Sequence, residues 1–214
     1  MIRAAVFDLD GTICDTLGDI GATMNRAFAS VGLPTKPVEE YAQCIGSGIR
    51  KNLWSAAPKG TPDEVLEKAL AFYLADYPEH CADTTEPYPG IRQLLRELTD
   101  RNIRLAMVTN KTEATAQKLV NAILPDVPFS FVWGRKDGRP LKPDPALGKE
   151  VCEALSLSPE EILFVGDGDA DMLFAVNAGF RGVAVTWGYR TVEQLREAGA
   201  EYFADTAEEV LNYV

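Results

Sequence analysis

Histidine is almost absent from this chain. His80 is the only one in 214 residues, which removes histidine-based nucleophile triads and multi-histidine metal sites. His80 itself is expected at the end of a helix, outside any chemistry. Cysteine is sparse and scattered: Cys14, Cys44, Cys81 and Cys152 form no C-x-x-C pair, so free thiols are expected in place of disulfides or a zinc cluster. No stretch approaches the ~20 apolar residues that span a bilayer. The opening residues lack the basic n-region and apolar h-region of a secretory signal, and a cytoplasmic protein is expected. Positive charge is in deficit, with 21 Lys and Arg against 32 Asp and Glu for a formal charge of -11. That balance argues against nucleic acid or a membrane surface as main partner. A small anionic substrate stays open, because a local lysine, backbone N–H groups and a bound cation outweigh a distant acidic surface. Acid–base work falls mainly on carboxylates.

Several ligand loops are missing as well. Gly46-Ser47-Gly48 has Lys51 where a dinucleotide fingerprint needs its third glycine, and no G-x-x-x-x-G-K-[ST] loop occurs. Asp167-Gly168-Asp169-Ala170-Asp171 starts like a calcium loop, but Met172 replaces the required glycine and Ala178 the bidentate glutamate.

What is present begins with Ala4-Ala5-Val6-Phe7-Asp8-Leu9-Asp10-Gly11-Thr12. An apolar run of strand length ends in two carboxylates and a glycine, which puts the acids at the carboxyl end of a buried strand, where open α/β sheets bind ligands. Leu17, Ile20, Met24, Phe28 and Val31 then recur at helical spacing up to Gly32 and Pro34. Short helices are expected from Val38 to Gln43 and through Ile49, Leu53 and Trp54. A longer one opens at Thr61-Pro62-Asp63-Glu64 and stops around Tyr77-Pro78. No strand is expected from Asp15 to Asp83. Beyond Pro87-Tyr88-Pro89-Gly90, strands at Ile103–Val108, Phe129–Trp133, Ile162–Val165 and Val183–Val185 alternate with helices, and Val192–Ala198 and Ala207–Tyr213 close the chain as helices. This pattern predicts an α/β fold, a Rossmann-like parallel sheet with helices on both faces. The expected division is a core of residues 1–14 and 86–214 and a helical cap of residues 15–85.

Polar residues end four of these segments: Asp8 and Asp10; Thr109 and Asn110; Lys142; and Asp167 with Asp171. Clustered carboxylates repel one another, whereas a hard divalent ion with oxygen ligands makes the cluster favourable. With water ligands retained, magnesium suits such a site better than calcium. A hydroxyl, backbone N–H groups and a lysine beside the ion form a site for a dianionic phosphoryl group.

The ordered set resembles the haloacid dehalogenase superfamily: Asp-x-Asp-Gly-Thr at Asp8–Thr12, then Thr109, Lys142, and Gly-Asp-x-x-x-Asp at Gly166–Asp171. Within it the chain is similar to the phosphoglycolate phosphatase branch, on Cys44-Ile45-Gly46-Ser47-Gly48, Pro87–Gly90 and Val108–Lys111 as well. The resemblance implies a mobile helical cap and a magnesium-dependent phosphatase for a small phosphorylated metabolite, 2-phosphoglycolate among the candidates. Asp8 would be the nucleophile that forms an aspartyl-phosphate, and Asp10 the acid and base. Asp8, the Asp10 carbonyl and Asp167 would hold the metal, with Asp171 orienting its waters. Thr109 and the Asn110 backbone would bind phosphoryl oxygens, Lys142 would balance charge, and Gly11 would let the turn pass close to the ligand. Gly168 departs from the serine or threonine common among relatives, and Asp169 is expected as a solvated helix-start residue. Carbon–halogen cleavage needs no proton for its leaving group, so Asp10 favours phosphate chemistry. Two other readings stand beside it: a phosphosugar mutase resembling beta-phosphoglucomutase, and a non-catalytic phosphometabolite-binding protein. In the cap, Gly46, Ser47 and Gly48 would bring N–H groups over the site with Arg50 or Lys51 near a substrate anion; a plain helix–helix turn with two solvated cations is the competing expectation.

Overall fold

The computed structural model describes Met1–Val214. Its strands are β1 (Ala4–Phe7), β2 (Cys14–Asp15), β3 (Glu86–Pro87), β4 (Arg104–Thr112), β5 (Phe129–Arg135), β6 (Ile162–Gly166), β7 (Arg181–Val185) and β8 (Tyr202–Ala204). Its α-helices are α1 (Leu17–Ser30), α2 (Ile49–Ala56), α3 (Asp63–His80), α4 (Ile91–Asp100), α5 (Glu113–Ile123), α6 (Pro145–Leu155), α7 (Asp169–Ala178) and α8 (Val192–Glu197). Six strands form one parallel sheet in the order β5-β4-β1-β6-β7-β8. The chain builds outward from β1 through β4 and β5, then returns to the other side of β1 with β6. That reversal puts the ligand crevice at the carboxyl ends of β1, β4 and β6.

Every residue of β1 is buried, because helices cover both faces of the sheet. On one face Ala5 and Phe7 pack with Leu105, Met107, Leu163 and Val165 beneath α4 and α5. On the other, Ala4 and Val6 meet Ala106, Val108 and Phe164 beneath Leu147 and Val151 of α6 and Phe174 of α7. Each large apolar side chain buried this way contributes about 1.5–3 kcal/mol. Parallel register aligns Phe7 with both Met107 and Val165. The polar residues that follow these strands therefore emerge side by side.

The helices α1 to α3 lie between β1 and β4 in sequence, as the periodicity predicts, and their apolar faces continue the first core through Met24, Phe28, Leu53, Tyr73 and Tyr77. Several expectations need correction. Asp15 pairs with Glu86 and Cys14 with Pro87 in a two-residue antiparallel ribbon, too short to leave any alternation in the sequence. The segment Val38–Cys44 is a 3-10 helix, as is Glu208–Tyr213. Pro78 does not end α3, which runs on to His80. Leu74, four residues before it, is exposed, so the backbone bond that Pro78 cannot make is lost on a solvent-facing side. The edge strand β8 was not expected. His80 ends its helix with Nδ1 2.7 Å from Asp83 Oδ2, and the four cysteines are unpaired. No helix is long and apolar enough to cross a membrane.

One carboxylate ties the helical insert to its return segment. Buried Asp19 of α1 accepts hydrogen bonds from Thr84 N (3.0 Å), Thr84 Oγ1 (2.6 Å), Thr85 N (3.0 Å) and Thr85 Oγ1 (2.7 Å). Burial opposes its charge, but these four donors outweigh burial and hold the carboxyl below its ordinary range. The folded-state pKa therefore lies below the unfolded one. The stabilisation is complete above the unfolded pKa and is lost as pH falls through the folded one. Asp19→Asn sets an NH2 group against donors, and we expect a loss of about 1.5–3 kcal/mol in denaturant unfolding at neutral pH, with the gap to wild type closing in acid.

Candidate active site

The site starts where β1 ends. Asp8 extends the parallel ladder by one bond, its N–H donating to Val165 O at 2.9 Å, and its side chain turns into a buried cluster. Lys142 Nζ lies 2.7 Å from Asp8 Oδ1 and 2.7 Å from Asp171 Oδ1. The second oxygen of Asp171 accepts from Gly168 N at 2.9 Å in the first turn of α7, a position where the helix terminus favours an anion. Lys142 reaches this depth on a loop gripped by Asn110: its N–H donates to Asn110 Oδ1 (3.0 Å), and Asn110 Nδ2 donates to Lys142 O (3.1 Å). Thr109, next to Asn110 in β4, is buried as well.

Asp167, directly after β6, is held at both oxygens, by Thr12 Oγ1 at 2.9 Å and by Tyr189 N at 2.8 Å. Two glycines make room for it. Gly11 has φ +84°, and a Cβ there would stand 2.3 Å from Asp167 Oδ2; a Cβ on Gly188 would stand 2.2 Å from Asp167 Cβ.

Carboxylate oxygens of Asp8, Asp167 and Asp171 lie within 4.8 Å of one another. Burial, and next the charge of Asp171, push Asp8 up to about 7 and Asp167 up to about 8. Burial also opposes the Lys142 charge, but Asp171 and Asp8 outweigh it and raise the ammonium above its ordinary range. With all three carboxylates ionised, one ammonium would leave surplus negative charge, which a bound cation would offset. An all-oxygen donor set with that surplus fits a hard divalent cation. Asp8 has one oxygen on Lys142, whereas Asp167 and Asp171 each have both oxygens engaged by protein donors.

Asp10 sits one turn outward, with Oδ1 2.6 Å from Lys111 Nζ. Asp8, Asp10, Thr109 and Asn110 open together into a cleft of about 290 Å³ between the sheet and the helical insert. Gly46 and Gly48 line this cleft, and Gly46 O accepts from Asn110 Nδ2 at 3.1 Å. Ser47 and Lys51 instead line a separate hollow near Arg190. Arg50 pairs with Glu67 and lies 4.2 Å over the Trp54 ring. Neither cation faces the cleft, so that part of the turn follows the solvated-cation expectation. Asp169 is exposed and meets Arg190 Nε at 3.2 Å. The residues missed from sequence are Lys111, Asn52, Tyr73 and Tyr77, all lining the cleft. Strand alternation held a signal for Lys111, which shares a face of β4 with Thr109; the two tyrosines read as core positions of a helix.

A buried acid cluster with one lysine at the switch point of a parallel α/β sheet defines a hydrolase of the phosphoryl-site type. The sequence profile of haloacid dehalogenase-like hydrolases matches residues 5–185, and the chain belongs to that family. It is 33% identical to phosphoglycolate phosphatase 1 of Pseudomonas aeruginosa over 98% of this chain and 78% of that protein. It is 32% identical to the phosphoglycolate phosphatase of Pasteurella multocida over 96% and 95% of the two chains. A solved structure of a predicted phosphoglycolate phosphatase from Haemophilus somnus superposes with a TM-score of 0.90 at 27% identity, over 99% of this chain and 97% of that one. The protein is a phosphoric monoester hydrolase of haloacid dehalogenase-like fold.

Gly188→Ala tests how tightly the acid cluster is set. The added methyl displaces Asp167, and a shift near 1 Å in such a group costs about 100-fold in rate. We expect a loss of that order in phosphate release from p-nitrophenyl phosphate, with the far-UV circular dichroism of wild type.

Proposed function

We propose that the protein is a magnesium-dependent phosphatase for a small phosphomonoester, with 2-phosphoglycolate as the foremost substrate, acting through an aspartyl-phosphate on Asp8. The observation that carries this reading is the pairing of Asp8 and Asp10. One carboxylate is buried with an oxygen fixed by Lys142, and the other lies two residues on at the mouth of the cleft.

In the first displacement an Asp8 oxygen bonds to phosphorus as the ester P–O bond breaks, and Asp10 gives its proton to the departing alkoxide. In the second, Asp10 takes a proton from a water whose oxygen attacks the same phosphorus. The Asp8–phosphate bond breaks, inorganic phosphate forms, and Asp10 is protonated again. Thr109 Oγ1 and the Asn110 N–H bind phosphoryl oxygens, and Lys142 holds Asp8 in line while offsetting charge. Asp8, the Asp10 carbonyl and Asp167 would hold Mg2+, with Asp171 behind them; the ion would add positive charge at the phosphoryl oxygens. Residues 15–85 act in this scheme as a cap over a core of residues 1–14 and 86–214. The Gly46-Ser47-Gly48 turn lies at its contact with the core, Gly46 and Gly48 toward the substrate. A cytoplasmic setting is part of the proposal, in keeping with four unpaired cysteines.

Phosphate release from a panel of phosphorylated metabolites with Mg2+ tests the reading. Asp8→Asn is expected to abolish turnover without changing the unfolding midpoint; undiminished hydrolysis by that variant would sink the mechanism. Asp10→Ala is expected to slow alkyl esters by about 100-fold or more, and activated aryl esters much less, because an aryl oxide leaves without a proton. Equal losses on both would remove Asp10 from the acid role.

A further inference from the structure

Beyond the phosphoryl pocket the cleft has a second polar end. Lys111 stands two residues after Thr109 on β4, its side chain only 6% exposed, with Nζ 2.6 Å from Asp10 Oδ1 and 4.7 Å over the ring of Tyr77. Tyr77 lines the same cleft, is buried, and its hydroxyl has no hydrogen-bond partner. Its ring stacks on Tyr73 at 5.0 Å. An orphan hydroxyl of this kind costs about 1–3 kcal/mol in folding. Lys111 is also expensive to bury, and its only salt-bridge partner is a carboxylate that must turn to the ester oxygen during the reaction. The other lysine of the cleft, Lys118, is exposed and already paired with Glu79 at 3.0 Å.

From this we infer that Lys111 and Tyr77 form a subsite for a carboxylate carried on the leaving-group side of the substrate, and that they set specificity within the phosphatase reading above, on which this rests. One ammonium and one neutral hydroxyl match a monoanion. A second phosphoryl group would bring nearly two charges against walls that include Ile20, Ile49 and Leu74, with no further free cation to meet it. The subsite therefore selects phosphorylated hydroxy acids over sugar bisphosphates. Engagement by the substrate carboxylate also draws Lys111 from Asp10, leaving Asp10 to face the ester oxygen.

The experiment compares kcat and KM for 2-phosphoglycolate and its neutral counterpart 2-hydroxyethyl phosphate, in wild type, Lys111→Met, Lys111→Arg and Tyr77→Phe, with Mg2+. Wild type is expected to prefer the carboxylate ester by roughly 100-fold. Lys111→Met should lose at least about tenfold more on 2-phosphoglycolate than on the neutral ester, chiefly through KM, and Lys111→Arg should recover part of the difference. Tyr77→Phe, which removes one oxygen without opening a cavity, should show the same selective loss to a smaller degree. If Lys111→Met and Tyr77→Phe lower both esters by equal factors, or if active wild type shows no preference, the subsite is overturned while the phosphatase reading stands. If wild type releases phosphate from neither ester nor from any other phosphomonoester, the phosphatase reading itself falls, and the subsite with it.

Discussion

The structure turns on the Lys142 ammonium. It lies between Asp8 and Asp171, 2.7 Å from each, in a place where two like charges would otherwise be buried face to face. Breaking such a buried pair from one side costs about 3–5 kcal/mol, because the stranded charge keeps its desolvation penalty. The sheet creates this problem by parallel register: β1 and β6 end level with one another and release their acids at one point. The loop before α6 solves it by bringing a lysine inward, and Asn110 at the end of β4 pins that loop by two bonds. Three strand ends and one loop thus share a single electrostatic balance. Asp167 is held by Thr12 and the Tyr189 N–H instead of by a cation, and burial beside Asp171 and Asp8 pushes its pKa up to about 8.

This balance explains which features could be read from the residues. A buried parallel strand must be apolar throughout, so its first charged residue marks the sheet edge. Asp8 and Asp167 were legible on that ground, standing just past β1 and β6, whereas Thr109 is uncharged and lies within β4, which runs on to Thr112. The parallel α/β class followed from the repeated strand–helix spacing. The helical insert was legible because its apolar residues recur at helical spacing with no strand-like run of any length. What escaped is what depends on partners remote in sequence. The pairing of Lys111 with Asp10 spans 101 positions. Tyr73 and Tyr77 sit at core phase in α3, and only the cleft they line and the partnerless Tyr77 hydroxyl set them apart from core residues. Strand β8 has three residues and β2 and β3 two each, below the length at which alternation can be told from chance. Between two glycines with positive φ that line the cleft, Ser47 faces the outer hollow instead.

Contacts between insert and core fall on the residues that hold the acids. Asn110 Nδ2 reaches both Gly46 O and Lys142 O. Tyr189, whose N–H fixes Asp167, accepts from Gln43 Nε2 at 2.7 Å through its carbonyl. The neighbouring Arg190 donates to Ala42 O at 3.1 Å and Ile45 O at 2.6 Å. Each of these bonds contributes about 1 kcal/mol. None carries the closed arrangement alone.

Their asymmetry matters more than their number. If the insert withdrew, Asn110 would lose Gly46 but keep Lys142, and Tyr189 would lose Gln43 but keep Asp167. The acid cluster is fastened entirely within the sheet and its loops, so it survives opening intact. The Lys111–Tyr77 end of the cleft behaves oppositely, because Tyr77 belongs to α3 and leaves with the insert, whereas Lys111 stays on β4 with Asp10 as its sole charged neighbour. With the insert withdrawn, the acid cluster would stay whole and Asp10 would stay paired with Lys111. With the insert in place, Tyr73 and Tyr77 line the cleft beside Lys111. The acid cluster thus depends on the sheet and its loops alone, the far end of the cleft depends on both parts of the fold, and Lys111 touches both through Asp10 and Tyr77.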